Sequence, residues 1–240
     1  MGRLKIVIIS DIHGNIAALQ ALPERNFDEL WCIGDLVDYG PNPHDAVEWV
    51  RQQAKVAVRG NHDHAAGFSV DPHCSPPCKK LAEDTLRYTL SVCTQDDLSY
   101  LRGLPVRQAL MVNSTRFYLV HAMPSDPLFG YCPEESDLWK QEVESIDTDL
   151  LIVGHTHTPF VRQEGRTVIV NPGSLGQPKT GRPLACYAVW EDGTISLREF
   201  EYPIRTTTQG IRGMPIAAEE QDQLIGLLET GVLPSTRYAK

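Results

Sequence analysis

Leu4-Lys5-Ile6-Val7-Ile8-Ile9-Ser10-Asp11-Ile12-His13-Gly14-Asn15 holds the pattern on which the rest of the chain is built. The short aliphatic run over residues 4–10, rich in Ile, reads as a buried strand. It stops abruptly at an aspartate and a histidine. Similar runs recur at 29–34, 56–59, 117–120, 150–154 and 167–170, and most of them end the same way. The second meets Gly34-Asp35, the third Gly60-Asn61-His62-Asp63, the fourth His121 and the fifth Gly154-His155-Thr156-His157.

Helical patterns fill the intervals. Residues 14–25 carry Ile16, Leu19 and Leu22 on one face, and 45–54 follow Asn42-Pro43, a cap and first-turn pair. A helix over 75–90 would begin at Ser75-Pro76, and one over 95–104 follows Thr94 with Asp97 three residues on, a capping box. Residues 137–146 form another. Strands then follow one another directly, at 167–170, 185–190 and 194–202. Alternation first and consecutive strands later predict an α/β or α+β fold with a layered core, either one mixed sheet or two stacked sheets, flanked by helices.

One domain is expected from 240 residues of which 42% are hydrophobic, since a chain of this size buries roughly 70–75% of its unfolded surface. That domain is assigned to residues 1–203, and residues 204–240 to a helical extension packed on it. The extension's helix, 217–230, sets Leu224, Leu227 and Leu228 on one side and stops at Gly231. Its stripe packs on the core or across a dimer, so a monomer or a homodimer is expected. With 22 basic against 31 acidic residues the net charge is −9, the wrong sign for bulk nucleic-acid binding. The apolar runs fall far short of the roughly 20 residues a membrane span needs. The first of them ends at Ser10 and Asp11, too soon for a secretory signal, which predicts a cytoplasmic protein. Six scattered cysteines (Cys32, Cys74, Cys78, Cys93, Cys132 and Cys186) suit a reducing compartment. Cys74 and Cys78 beside His73 lack the second ligand pair of a structural zinc site.

Singly, each strand-end motif is ordinary: a turn with a capping aspartate, a Gly-Asp turn, an interior histidine. Together they are not, because so many polar groups near buried strand ends are costly without a partner. Ligands of open sheets bind beyond the carboxyl ends of strands, which brings these residues within reach of one another. Imidazole, carboxylate and amide donors without a thiolate suit Mn, Fe, Zn or Co. There are too many donors for one ion, and two ions about 3.5–4 Å apart are the recurring apparatus for in-line displacement at phosphorus.

The ordered set Asp-x-His, Gly-Asp, Gly-Asn-His-Asp, His, Gly-His-Thr-His, spanning Asp11 to His157, resembles the calcineurin-like metallophosphoesterase superfamily. His13-Gly14-Asn15 and Asn171-Pro172-Gly173-Ser174 are similar to its small bacterial and archaeal phosphodiesterases. The resemblance implies a two-sheet β-sandwich of mixed strands flanked by helices. It implies a dinuclear centre of divalent transition-metal ions (Mn, Fe or Zn), with Asp11, His13 and His157 on one ion, Asn61, His121 and His155 on the other, and Asp35 bridging. Gly34-Asp35-Leu36-Val37-Asp38, and Arg59 before Gly60-Asn61-His62, resemble the branch of serine/threonine protein phosphatases and diadenosine tetraphosphatases. On that branch's pattern His62 is the general acid, Asp38 orients it, and Arg59, Asn61 and His62 meet the substrate. For Arg59 an exposed strand-end charge is an equally good reading. Tyr39 stands where the branch has a phosphate-gripping arginine, and Asp63 where it has glutamate; a phenol offers no bidentate clamp, which counts against phosphoprotein substrates.

The expected activity is hydrolysis of a small phosphate ester, as phosphatase or phosphodiesterase, with a metal-bridging hydroxide as nucleophile. The alternatives are a serine/threonine protein phosphatase or dinucleoside polyphosphate hydrolase, and less readily a nuclease or a non-catalytic scaffold like the retromer subunit of this fold. Loops at 64–77 and 123–133 are expected beside the site.

Overall fold

Alternate residues of β1 (Lys5–Ile9) part to opposite sides: Ile6 and Ile8 enter one apolar cluster, Val7 and Ile9 another, all four fully buried. A strand buried on both faces needs an unbroken aliphatic run, as this one has. The computed structural model describes residues 4–74 and 76–233, apart from the side chains of 76 and 77, so the Ser75 start of the helix expected over 75–90 lies outside the described residues.

β1 is the centre of a five-stranded sheet ordered β10-β9-β1-β2-β3, in which β2 (Glu29–Cys32) and β3 (Val56–Ala57) run parallel to it, β9 (Ala185–Glu191) pairs antiparallel with β1, and β10 (Thr194–Phe200) pairs antiparallel with β9. A second sheet is ordered β4-β5-β6-β8-β7, from Arg107–Val112, Thr115–Val120, Leu150–Ile152, Thr167–Asn171 and Phe160–Glu164 in that order. Its three central strands are parallel, and β4 and β7 pair antiparallel at its edges.

The sheets stack through Ile6, Ile8, Trp31, Ile33, Phe117, Leu119, Ile152 and Trp190. The outer face of the first sheet is covered by α1 (Ile16–Ala21), α2 (Pro43–Gln53), α3 (Asn61–Phe68), α4 (Pro76–Val92) and α5 (Gln95–Gly103), that of the second by Trp139 and Val143 of α6 (Leu138–Glu144). Two stacked mixed sheets between helices agree with the fold class expected.

Several boundaries moved, for physical reasons. The helix expected over 14–25 ends at Ala21, since Leu22 precedes Pro23 and takes ψ 119°. The third strand is two residues long. The expected loop at 64–77 is corrected: α3 occupies its start and α4 its end, leaving 69–74 between them. Helix α3 is built from Asn61-His62-Asp63-His64-Ala65-Ala66-Gly67, which has no apolar stripe because its inward face is polar. The edge strands β4 and β7 and α7 (Ile204–Arg212) have no counterpart in the sequence reading. Helices α7 and α8 (Ala218–Thr230) and the turn between them pack Ile211, Met214, Leu224, Ile225 and Leu228 against Tyr39, Leu81 and Ala82.

Candidate metal centre

Parallel β1, β2 and β3 end on the same edge of their sheet, and parallel β5 and β6 do so in theirs. Asp11, Asp35 and Asn61 leave the first set, His121 and His155 the second. The edges are stitched together where Asp11 N donates to Gly34 O at 3.0 Å, Gly154 N to His121 O at 2.8 Å, and His155 N to Asp11 Oδ2 at 3.2 Å.

The turns that aim these side chains are strained. Among the described residues eleven that are not glycine have positive φ, and seven of them are Asp11, His13, Asp35, Asp38, Tyr39, His155 and His157. Left-handed backbone costs an L-residue roughly 1–2 kcal/mol, so its concentration at one edge marks a place where aim is kept at the expense of stability. Two glycines make the approach possible. A Cβ on Gly34 (φ 91°) would stand 2.5 Å from Gly60 N, and one on Gly60 2.0 Å from Asp35 Oδ1.

Two groups of donors result, each with ligand atoms within 4.8 Å of one another: Asp11, His13 and His157, and Asp35, His121 and His155. Asn61 joins the second, its Oδ1 3.1 Å from His155 Nδ1 while its Nδ2 donates to Pro72 O at 2.9 Å, which fixes the amide's orientation. Asp35 lies between them, with Oδ2 3.2 Å from His121 Nε2 and 3.8 Å from His13 Nε2.

The hydrogen bonds behind the imidazoles settle what they present. His13 Nδ1 donates to Val37 O at 3.0 Å, His157 Nδ1 to Gln177 O at 2.7 Å, and His121 Nδ1 to Ile33 O at 2.7 Å. A neutral ring so held offers an Nε2 lone pair inward, as His13 and His157 do. His13 Nε2 and His157 Nε2 face each other at 3.1 Å, 3.3 Å separates His157 Nε2 from Asp11 Oδ1, and Asp11 Oδ1 is buried without a hydrogen-bond partner. Acceptors converging on acceptors in a dry site are unfavourable unless a cation lies among them, so the residues present fit metal ions.

Protonation agrees. Burial pushes His13 and His155 down to about 3 and His157 well below its ordinary value, which leaves their rings neutral and ligand-ready. Burial also raises Asp11 to about 6. At His121 burial acts downward, but Asp35 outweighs it and lifts the imidazole to about 9. The carboxylate field that holds a proton there is the field that attracts a divalent ion.

Beside this group, His62 Nδ1 meets Asp38 Oδ2 at 2.8 Å and its Nε2 lies 3.6 Å from Cys74 Sγ. Arg59 is turned elsewhere: Nη1 donates to Arg102 O at 2.7 Å, and the guanidinium stands 5.1 Å from the centre of the Phe68 ring. The sequence names Asp63 in its motif without a role; here its carboxylate accepts from Asp35 N, Leu36 N and Gly60 N at 2.8, 2.7 and 2.9 Å and so clamps together the two loops that carry Asp35 and Asn61. Its signal was available, as the carboxylate of a helix's first turn. Thr89, which donates to Asp38 Oδ1 at 2.7 Å, and Cys74 carried no local signal.

Residues 4–192 match the family model of the calcineurin-like phosphoesterase superfamily domain. An uncharacterised protein of Methanocaldococcus jannaschii is 29% identical over 235 residues, covering 88% of this chain and 93% of that protein. Phosphodiesterase YfcE of Escherichia coli strain K12 is 28% identical, covering 81% and 91%. A symmetrical bis(5'-nucleosyl)-tetraphosphatase of Aromatoleum aromaticum is 30% identical over a shorter stretch, 60% of this chain and 52% of that one. Among solved structures, a metallophosphoesterase from Sphaerobacter thermophilus superposes with a TM-score of 0.81 at 30% identity, covering 95% of this chain and 99% of that one. With the layered fold, the convergent Asp and His donors and a family match over most of its length, the chain belongs to the calcineurin-like phosphoesterase superfamily and is a metallophosphoesterase.

Proposed function

We propose that this enzyme hydrolyses a small phosphate ester at a dinuclear centre, with Asp11, His13 and His157 holding one divalent transition-metal ion, Asn61, His121 and His155 the other, and Asp35 shared between them. The observation that carries this reading is the pair of acceptor clusters with Asp35 Oδ2 near His121 Nε2 and His13 Nε2 alike. Two such ions, Mn, Fe or Zn by donor chemistry, would supply Lewis acidity and an activated water.

The remaining roles belong to the chain. His62, held by Asp38, donates a proton to the departing oxygen. Burial opposes the imidazolium, but the charge of Asp35 and the hydrogen bond to Asp38 outweigh it and hold His62 well above its ordinary value, so the acid form is the one present near neutrality. Asn61 keeps its amide oxygen inward. Phosphoprotein substrates fit less well, because Tyr39 is buried and its hydroxyl lies against Cys74 Sγ at 3.4 Å. A nucleotide ester is the favoured variant, since Tyr131 stands exposed with its ring 6.1 Å from that of His155.

The test is turnover of p-nitrophenyl phosphate and bis-p-nitrophenyl phosphate by metal-stripped protein after addition of manganese, zinc or iron. Restoration of activity that saturates at two ions per chain is expected. Tight binding of two ions without turnover of either ester, or of a nucleotide panel, would replace the enzyme by a scaffold.

A further inference from the structure

Asn15, which closes the His13-Gly14-Asn15 motif, is 1% exposed, yet its amide is fully engaged. Nδ2 donates to Gly176 O at 2.9 Å and to Tyr202 Oη at 3.1 Å, while Oδ1 accepts from Ala18 N at 3.2 Å and from Thr207 Oγ1 at 2.7 Å. Both donor hydrogens and both lone pairs are thus taken. Gly176 O can only accept and Ala18 N can only donate, so the amide has one orientation. Its partners come from three places. Ala18 lies in α1, just behind the His13 turn. Gly176 lies in the loop under Asp11, where Gly176 N donates to Asp11 O at 3.0 Å, Ser174 Oγ donates to the same oxygen at 2.7 Å, and Gln177 O takes the Nδ1 proton of His157 at 2.7 Å. Tyr202 and Thr207, the latter in α7, are buried and lie beyond the residues 4–192 that the family model matches.

Asn15 therefore ties α7 to the turn that carries His13 and to the loop that orients His157, and these two histidines share a donor group with Asp11. The other donor group is held differently, His121 by Ile33 O and His155 against Asn61 Oδ1. The fit around Asn15 is close. A Cβ on Gly176 would lie 1.7 Å from Ile12 O and 3.1 Å from Asn15 Cβ, and the cavity that Thr207 shares with His13 measures only about 10 Å³, no more than one water fills. Packing this tight passes a shift of α7 on to the turn and the loop instead of absorbing it.

We propose that Asn15 and Thr207 are positioning residues: the Thr207 hydroxyl on α7, acting through the Asn15 amide, sets the aim of His13 and His157 and with it the affinity for the ion these two would hold, and leaves the other ion's site alone. The inference rests on the dinuclear reading for its pair of ions. Metal-stripped Thr207→Val, titrated with manganese by calorimetry, should bind one of two ions about 10-fold more weakly, the lower end of the cost of losing an outer hydrogen bond, and the other as the wild type does. Thr207→Ser restores the hydroxyl and should restore the affinity, which packing alone would not predict. Tyr202→Phe removes the other C-terminal partner and should act in the same direction, and it decides the matter should Thr207→Val not fold. Thr148→Val, a buried threonine at the opposite end of β6 from His155, should change neither ion's affinity. In His157→Ala the ion that remains should be indifferent to Thr207→Val, which assigns the loss to the donor group of His13. Two unchanged affinities, two affinities weakened alike, or Thr207→Ser as weak as Thr207→Val overturns the relay. A wild type that binds a single ion would remove the dinuclear reading, and the relay would then stand or fall on whether Thr207→Val weakens that ion.

Discussion

His62 Nδ1 lies 2.8 Å from Asp38 Oδ2, and the other oxygen of that carboxylate accepts from Thr89 Oγ1 at 2.7 Å. The imidazole is therefore oriented from behind, and its Nε2 faces only the weak partner Cys74 Sγ at 3.6 Å. A group placed this way matters in proportion to the basicity of the leaving oxygen. His62→Asn should slow an alkyl phosphate by about 10²–10⁴, the usual contribution of a general acid, and p-nitrophenyl phosphate much less. Asp38→Asn should show the same pattern more weakly. Equal losses on the two substrates would return His62 to phosphate binding or packing.

The position of Asp35 between the two donor groups makes metal content the next test. Asp35→Asn should lose at least one of two ions by elemental analysis, because the substitution removes charge from both sites. Stripping the wild type should also lower its stability, since a ligand bound only to the native state adds about 2.7 kcal/mol at a hundred times its dissociation constant. A melting temperature indifferent to manganese and zinc, with unchanged metal content in Asp35→Asn, would remove the bridge.

The residues that the structure gathers into the candidate donor groups were legible because most stand where a buried strand stops, a local event that a linear sequence displays. Asp63 was half legible, as a first-turn carboxylate whose real partners, Asp35 N and Leu36 N, belong to another loop. Thr89 was not, because it reaches Asp38 across 51 positions. Helix α3 was hidden because it buries Asn61, His62 and Asp63 beside Ala65 and Ala66, and a face so composed shows no apolar period.

The C-terminal helices bear on the centre through Tyr39. Leu228 is 4% exposed and packs in the cluster that holds Tyr39, whose ring centre is 4.9 Å from that of His13 and 4.7 Å from that of His62. Leu228→Ala should cost about 2–5 kcal/mol in urea unfolding, as buried leucines do. A chain ending at Pro203 should lose more, and activity with it. A shortened chain as stable and active as the whole would show that the helices are dispensable.

Away from the centre, His44 Nδ1 meets Asp97 Oδ2 at 2.7 Å, and that hydrogen bond raises the histidine's pKa. A pKa higher in the folded chain than in the unfolded one stabilises fully below the unfolded value, about 6.5, and the effect fades as pH climbs through the folded value. With the side chain 44% exposed, the pair is worth no more than about 1 kcal/mol. His44→Gln should flatten stability between neutral and mildly alkaline pH relative to wild type; parallel profiles would show that the pair contributes nothing.

Tyr131 offers the sharpest test of substrate class. It is 66% exposed, yet the loop that carries it is stiff: Ala122 N donates to Pro127 O at 3.0 Å, Gly130 N to Asp126 O at 3.3 Å, and a Cβ on Gly130 would strike Met123 Cγ at 2.2 Å. Phe129 beside it packs on His73, ring centres 4.7 Å apart, which fixes the loop's other aromatic inward. A rigid, exposed ring near His155 suits stacking against a flat group on the scissile phosphate, and base-on-aromatic stacking contributes about 1–3 kcal/mol. Tyr131→Ala should therefore raise KM for nucleotide esters and dinucleoside polyphosphates about tenfold, within that range, while methyl phosphate is hydrolysed as before. The metal content should not change, because no donor is touched. If methyl phosphate and the nucleotides suffer equally, Tyr131 supports the loop and the nucleotide preference goes with it.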